Sequence, residues 1–76
     1  MFITVTMKMG DNKYNLKIDN SQPIINAVQI LRESKKYNGE TALFYRSKLS
    51  QNVVSGYLSF KDAEIFSGDV LEIIYN

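Results

Sequence analysis

Phe60-Lys61-Asp62-Ala63-Glu64-Ile65-Phe66-Ser67-Gly68-Asp69-Val70-Leu71-Glu72-Ile73-Ile74 is the stretch on which the reading of this chain turns. Just before and within it, Ser59 and Asp62 stand at the capping-box spacing, in which a hydroxyl and a carboxylate satisfy free N–H groups at a helix start. The spacing predicts one short helical turn, a turn at Gly68, and a buried last strand from Val70 to Tyr75. Chemistry borne on a flexible C-terminal tail would need residues beyond that strand, and only Tyr75 and Asn76 remain in this sequence.

Working back from this end, the first residues alternate. Ile3, Val5, Met7 and Met9 interleave with Thr4, Thr6 and Lys8, the period-2 pattern of a strand with one buried face. Gly10-Asp11-Asn12 supplies turn chemistry, after which Tyr14, Leu16 and Ile18 alternate with Lys13, Asn15 and Lys17, so the first two strands form a hairpin. Ile24, Ala27, Val28 and Leu31 then recur at helical spacing, with Ser21 or Gln22 as the cap and Pro23 in the first turn. Arg32, Lys35 and Lys36 suit the negative end of that helix, and Asn38-Gly39 offers a left-handed stop, which predicts a helix over roughly 22–37. Ile25 and Ile30 widen its buried face.

Thr41 to Arg46 is rich in strand formers, with Leu43 and Tyr45 facing inward and Ala42 and Phe44 outward. Asn52-Val53-Val54 reads as a short fourth strand, and Ser55-Gly56 as the turn that follows it. All four glycines, at 10, 39, 56 and 68, fall at element boundaries, where each is expected to supply a positive φ.

The chain has 76 residues, 45% hydrophobic and 22% charged, which describes one small globular unit. A chain of this size buries only about 60% of its unfolded surface, so one small core is expected. It contains no cysteine, which excludes a disulfide framework or a thiolate metal site and fits a reducing cytoplasm. A net charge of +1 argues against DNA or RNA as a partner. No apolar run reaches the roughly 18 residues of a membrane span, and residues 1–9 alternate instead of forming a signal-peptide core, so neither membrane insertion nor export is expected.

The element order ββαββ, with a short turn before the last strand, resembles the β-grasp of ubiquitin-like proteins. The specific part of the resemblance lies in Val53-Val54-Ser55-Gly56, then Phe60, Asp62, Ile65 and Gly68-Asp69-x-Leu71-Glu72-Ile73. These residues are similar to the Ser-Gly and Leu-Ser-Asp…Ile…Gly-Asp-x-Leu-Glu-Ile pattern of the YukD/EsaB-like family, with Phe60 in place of the usual Leu and Lys61 in place of Ser. The resemblance implies an α+β fold, a single ubiquitin-like domain over residues 1–76 with one helix packed across a mixed sheet. It further implies a cytoplasmic, non-covalent accessory or regulatory component of a bacterial type VII secretion system that exports WXG100 proteins. A cytosolic portion of a membrane-embedded secretion component is then the partner.

The residues offer little catalytic material. There is no histidine, which excludes Ser-His and Cys-His nucleophile pairs and any His metal ligand. Asp62 is explained by its capping role. Asp69, after a turn glycine, and Glu72, on the last strand, read as solvated carboxylates. Serines and lysines read as ordinary surface residues. Tyr14 and Tyr45 fall on inward faces, Tyr57 beside a turn and Tyr37 over the helix end, so no base-stacking platform forms. The chain is expected to be no enzyme and to hold no cofactor or metal. Covalent modifiers and sulfur carriers of the same fold work through a C-terminal Gly-Gly. This sequence ends Ile73-Ile74-Tyr75-Asn76, so either role requires a longer native chain, as does a domain cut from a larger membrane transporter.

A binding face is legible instead. With Ile3, Val5, Leu16, Ile18, Leu43, Tyr45, Leu71 and Ile73 assigned inward, Phe44 and Ile74 point outward on strands that neighbour each other in a β-grasp sheet. Met9 is expected at the border of this pair, with Lys8, Lys13, Lys17 and Arg46 around it. An apolar centre with a basic rim is the pattern of a protein-binding site, and it fits an acidic partner surface with an apolar pocket.

Overall fold

The alternating amino-terminal residues form the two longest strands, β1 (Phe2–Met9) and β2 (Asn12–Asp19), paired antiparallel from Phe2 opposite Asp19 to Met9 opposite Asn12. The computed structural model describes residues 1–39 and 42–74. Helix α1 (Ile24–Glu33) follows, then β3 (Phe44–Ser47), β4 (Val53–Ser55) and β5 (Val70–Ile74). The five strands lie in the order β2-β1-β5-β3-β4. β5 runs parallel to β1 and antiparallel to β3. This is the mixed sheet expected of a β-grasp.

The helix lays Ile24, Ala27, Val28 and Leu31 into the core, where they meet Ile3, Val5, Met7, Tyr45, Leu71 and Ile73 from one face of the sheet. Each fully buried branched side chain among them contributes about 1.5–3 kcal/mol of hydrophobic stabilisation. Tyr14 and Leu16 pack half-buried against the same cluster.

The helix is shorter than its hydrophobic period predicts, and its two ends show why. At the start, Pro23 occupies the cap with an extended backbone and no side-chain cap bond. Neither expected cap residue serves there. Ser21 instead donates its N–H and hydroxyl to Asp19 Oδ1, at 3.0 and 2.9 Å. The Ser21 amide in particular holds the Asp19 carboxyl below its ordinary pKa. Gln22 Oε1 accepts from Asn26 Nδ2 at 2.9 Å. The first helical N–H groups are satisfied by main chain from elsewhere: Ile24 donates to the Leu58 carbonyl and Ile25 to the Gly56 carbonyl, both at 2.9 Å. At the far end, Lys35 adopts φ 60° and ends the helix before Asn38-Gly39 is reached. The Lys35 N–H donates to the Arg32 carbonyl and the Lys36 N–H to the Leu31 carbonyl, the bond pair of a Schellman stop. Within the helix, Ile30 is exposed (43%) instead of widening the buried face.

The turn after Ser59 repeats the same device. The Asp62 N–H donates to Ser59 Oγ at 3.0 Å, half of the predicted capping box. The turn closes with Glu64 N–H to Lys61 carbonyl at 3.1 Å and Ile65 N–H to Phe60 carbonyl at 2.8 Å, with Glu64 at φ 59°. The apolar contact that accompanies such a stop is supplied by Phe60 and Ile65, both buried in the core. A non-glycine residue in the left-handed region is strained by about 1 kcal/mol. Glu64→Gly should therefore raise the urea midpoint by an amount equivalent to roughly 0.5–1 kcal/mol without altering the slope. An unchanged or lowered midpoint would contradict this.

Two further expectations are corrected here. The third strand begins at Phe44, not Thr41: Thr41 lies outside the described residues, Ala42 is buried, and Leu43 is exposed (39%) with its carbonyl turned to the Gly56 N–H at 2.7 Å. Tyr75, assigned to the last strand, also lies outside the described residues. Among the glycines only Gly10 and Gly68 have positive φ. Gly56 serves packing instead, because a Cβ there would sit 2.7 Å from Cε2 of the Tyr45 ring.

Candidate protein-interaction face

Residues opposite each other in a ladder share a face, so the register places the outward side chains in rows across the sheet. One row is Lys13, Lys8, Glu72, Arg46 and Val53, taken from β2 to β4. The next row toward the hairpin end holds Ile74 opposite Phe44. Phe44 is 43% exposed and Ile74 half-buried, so the expected apolar pair exists and borders the charged row.

The charged row encloses a shallow depression of about 250 Å³. Its walls include Lys8, Lys13, Arg46 and Lys48, four cations against the one carboxylate of Glu72, with Gln51 and Val70 completing the lining. Lys8 Nζ lies 3.5 Å from Glu72 Oε2, with both side chains largely in solvent. Such an exposed pair contributes about 0–1 kcal/mol, so it positions charge more than it stabilises the fold. Among the described residues Lys13, Arg46 and Lys48 form no ion pair. The whole chain has a net charge of only +1, so positive charge is concentrated on this patch.

One residue expected at this face does not belong to it. Met9 is 4% exposed and turned into the core, as its place in the inward set Ile3, Val5, Met7 requires. Lys17 points to the same side of the sheet as Lys13 but lies four residues farther along β2, opposite Thr4, where its Nζ sits 5.7 Å from the centre of the Phe2 ring. The 47–51 loop contributes what the sequence reading missed. Lys48 and Gln51 belong to a polar turn in which no periodicity assigns a face, and the one available signal was the charge of Lys48 itself.

Asp69 is also not the solvated carboxylate expected. It is 1% exposed, and its Oδ2 accepts the buried Ser47 hydroxyl at 2.5 Å. Its Oδ1 accepts the Leu49 N–H at 3.1 Å and its neighbour Val70's N–H at 2.8 Å. The carboxylate is thereby committed to holding the loop that bears Lys48. Glu72, by contrast, points to solvent as expected.

No family model and no curated protein matches the chain. Solved structures do match. The N-terminal ubiquitin-like domain of the 4931431F19Rik protein superposes with a TM-score of 0.70 at 9% identity, over 99% of this chain and 75% of that one. The C-terminal ubiquitin-like domain of mouse tubulin-specific chaperone e gives 0.67 at 12% identity, over 99% and 87%. The ubiquitin-like domain of EccD5 from Mycobacterium xenopi gives 0.61 at 18% identity, over 100% and 96%. At such identities the likeness is one of fold, and the fold is the ubiquitin-like β-grasp.

Proposed function

We propose that this chain is a non-covalent protein-binding component of a bacterial type VII secretion system, acting in the cytoplasm in the manner of the YukD/EsaB-like proteins it resembles. Its partner is a cytosolic portion of a membrane-embedded secretion component, and its role is accessory or regulatory instead of catalytic. The observation that carries the reading is the outward Phe44–Ile74 pair beside a row of cations on an open sheet face. The Ser-Gly and Gly-Asp-x-Leu-Glu-Ile resemblance supports the system, and the fold shared with the EccD5 ubiquitin-like domain is consistent with it. The described residues include no helix long and apolar enough to cross a membrane.

The test is a capture experiment with the cytosolic domains of the type VII membrane components encoded beside WXG100 genes in the source genome. Phe44→Glu combined with Ile74→Lys should weaken capture at least 30-fold, the equivalent of one strong interface anchor. Circular dichroism and the melting midpoint should stay near the parent's, because both side chains stand on the outward face of the sheet, away from the core. Capture that survives in the folded double variant would refute the face. A conjugate or a thiocarboxylate in the mass spectrum of the native protein would refute the non-covalent mode.

A further inference from the structure

The loop between β3 and β4 is held in one arrangement by the buried Ser47–Asp69 pair. Around that pair the Ser50 N–H donates to Ser47 Oγ at 3.2 Å, the Lys48 N–H to the Val70 carbonyl at 2.9 Å, and Gln51 Nε2 to the Lys48 carbonyl at 2.8 Å. The backbone of Lys48 is therefore fixed at the edge of the depression, alongside Arg46. The cations fall into two groups, Lys13 with Lys8 on one side and Arg46 with Lys48 on the other, and Glu72 stands between them. Lys8 already leans on Glu72, which leaves Lys13 as the free cation of its group.

Spacing decides what such an arrangement can take. Strands lie about 4.8 Å apart, so Lys13 and Arg46, three strands from one another, are about 14 Å apart at the backbone. Lysine and arginine side chains are long enough to converge, but a single anion gathered by both groups would sit over Glu72, whose carboxylate repels it. An extended peptide puts the side chains of residues i and i+4 on the same face, about 13 Å apart. The residue between them, i+2, falls on the same face, and a donor side chain there can reach Glu72.

We propose that the depression binds an extended acidic segment of a protein partner, with two carboxylates four residues apart, one for each cation group, straddling Glu72. This rests on the binding face proposed above and names the chemistry of its partner.

The test is a titration of the full chain, followed by backbone amide shifts, with blocked Glu-Thr-Asn-Thr-Glu, its isomer Glu-Glu-Thr-Asn-Thr, and inorganic phosphate. The first peptide should move amides on both sides of Glu72 and bind several-fold tighter than the isomer, with affinity falling as salt rises. Lys13→Glu and Lys48→Glu should each weaken it about fivefold. Glu72→Gln should narrow the gap between the two peptides by removing the central repulsion. Equal binding of the isomers to the parent chain, shifts on both sides with phosphate, or no shifts at millimolar peptide would each overturn the proposal. If no peptide binds while the Phe44 and Ile74 changes still abolish capture, the acidic-segment inference alone fails. If capture ignores those changes, the face itself fails.

Discussion

Phe60→Ala should remove about 3–5 kcal/mol of folding stability, the range for emptying a fully buried aromatic site. A chain of 76 residues has only about 4–11 kcal/mol in total, so the variant should be partly unfolded at room temperature or melt on the order of 20 °C lower. Phe60 is fully buried and ranks with Tyr45 among the largest such side chains. Its backbone, which alanine would retain, holds the same turn: the Phe60 N–H donates to the Gln22 carbonyl at 3.2 Å, and its carbonyl accepts the Ile65 N–H. The side chain thus anchors a turn that is itself tied to the loop leading into the helix. Phe60→Leu, which installs the residue usual in the resembled family, should cost less than about 1.5 kcal/mol. Equilibrium urea denaturation separates the two. A loss below 1 kcal/mol for alanine would show that the turn does not depend on this ring.

Asp69→Ala should cost about 3 kcal/mol, from a different source. No apolar volume of note is lost. Instead the buried Ser47 hydroxyl and the Leu49 N–H lose a charged acceptor, and hydrogen bonds to charged groups contribute about 1.5–3 kcal/mol each before any water replaces them. Asp69→Asn keeps one oxygen and turns the other into a donor, so it should recover part of the loss. The discriminating measurement is local. Hydrogen exchange at Leu49 and Ser50 should accelerate more than at Val5 or Leu71, because the carboxylate holds the loop while the central strands pack independently of it. Uniform acceleration across the chain would show that Asp69 supports the sheet instead of the loop.

Much of this architecture could be read before any coordinates, because the physics that sets strand faces is periodic. Ile3, Val5 and Met7 face inward for the same reason that Thr4 and Lys8 do not, and the Phe44–Ile74 pairing follows once the strand order is granted. What could not be read lacks a period. Lys35 and Glu64 end their turns in the left-handed region through hydrogen bonds to carbonyls three and five residues back, whereas a sequence reader looks for glycine and so runs the helix on to Asn38-Gly39. The helix start is satisfied by carbonyls of residues 56 and 58, more than thirty positions downstream, which no local cap signal announces. Lys48 reaches the depression because a buried carboxylate twenty-one residues later fixes its loop. Met9 was misplaced by position at the hairpin tip, although its own alternation already pointed it inward.

The sheet's centre has a consequence for how the molecule is made. β1 and β5 lie side by side there, yet among the described strands they are the first and the last along the chain. While a ribosome is still translating, β1 has its hairpin partner but lacks its neighbour on the other side, and β3 lacks β5. The nascent chain therefore cannot complete its sheet until Val70–Ile74 has emerged from the exit tunnel. Folding is expected to be a late event that follows synthesis of β5, with the edge of β1 that pairs with it left open until then.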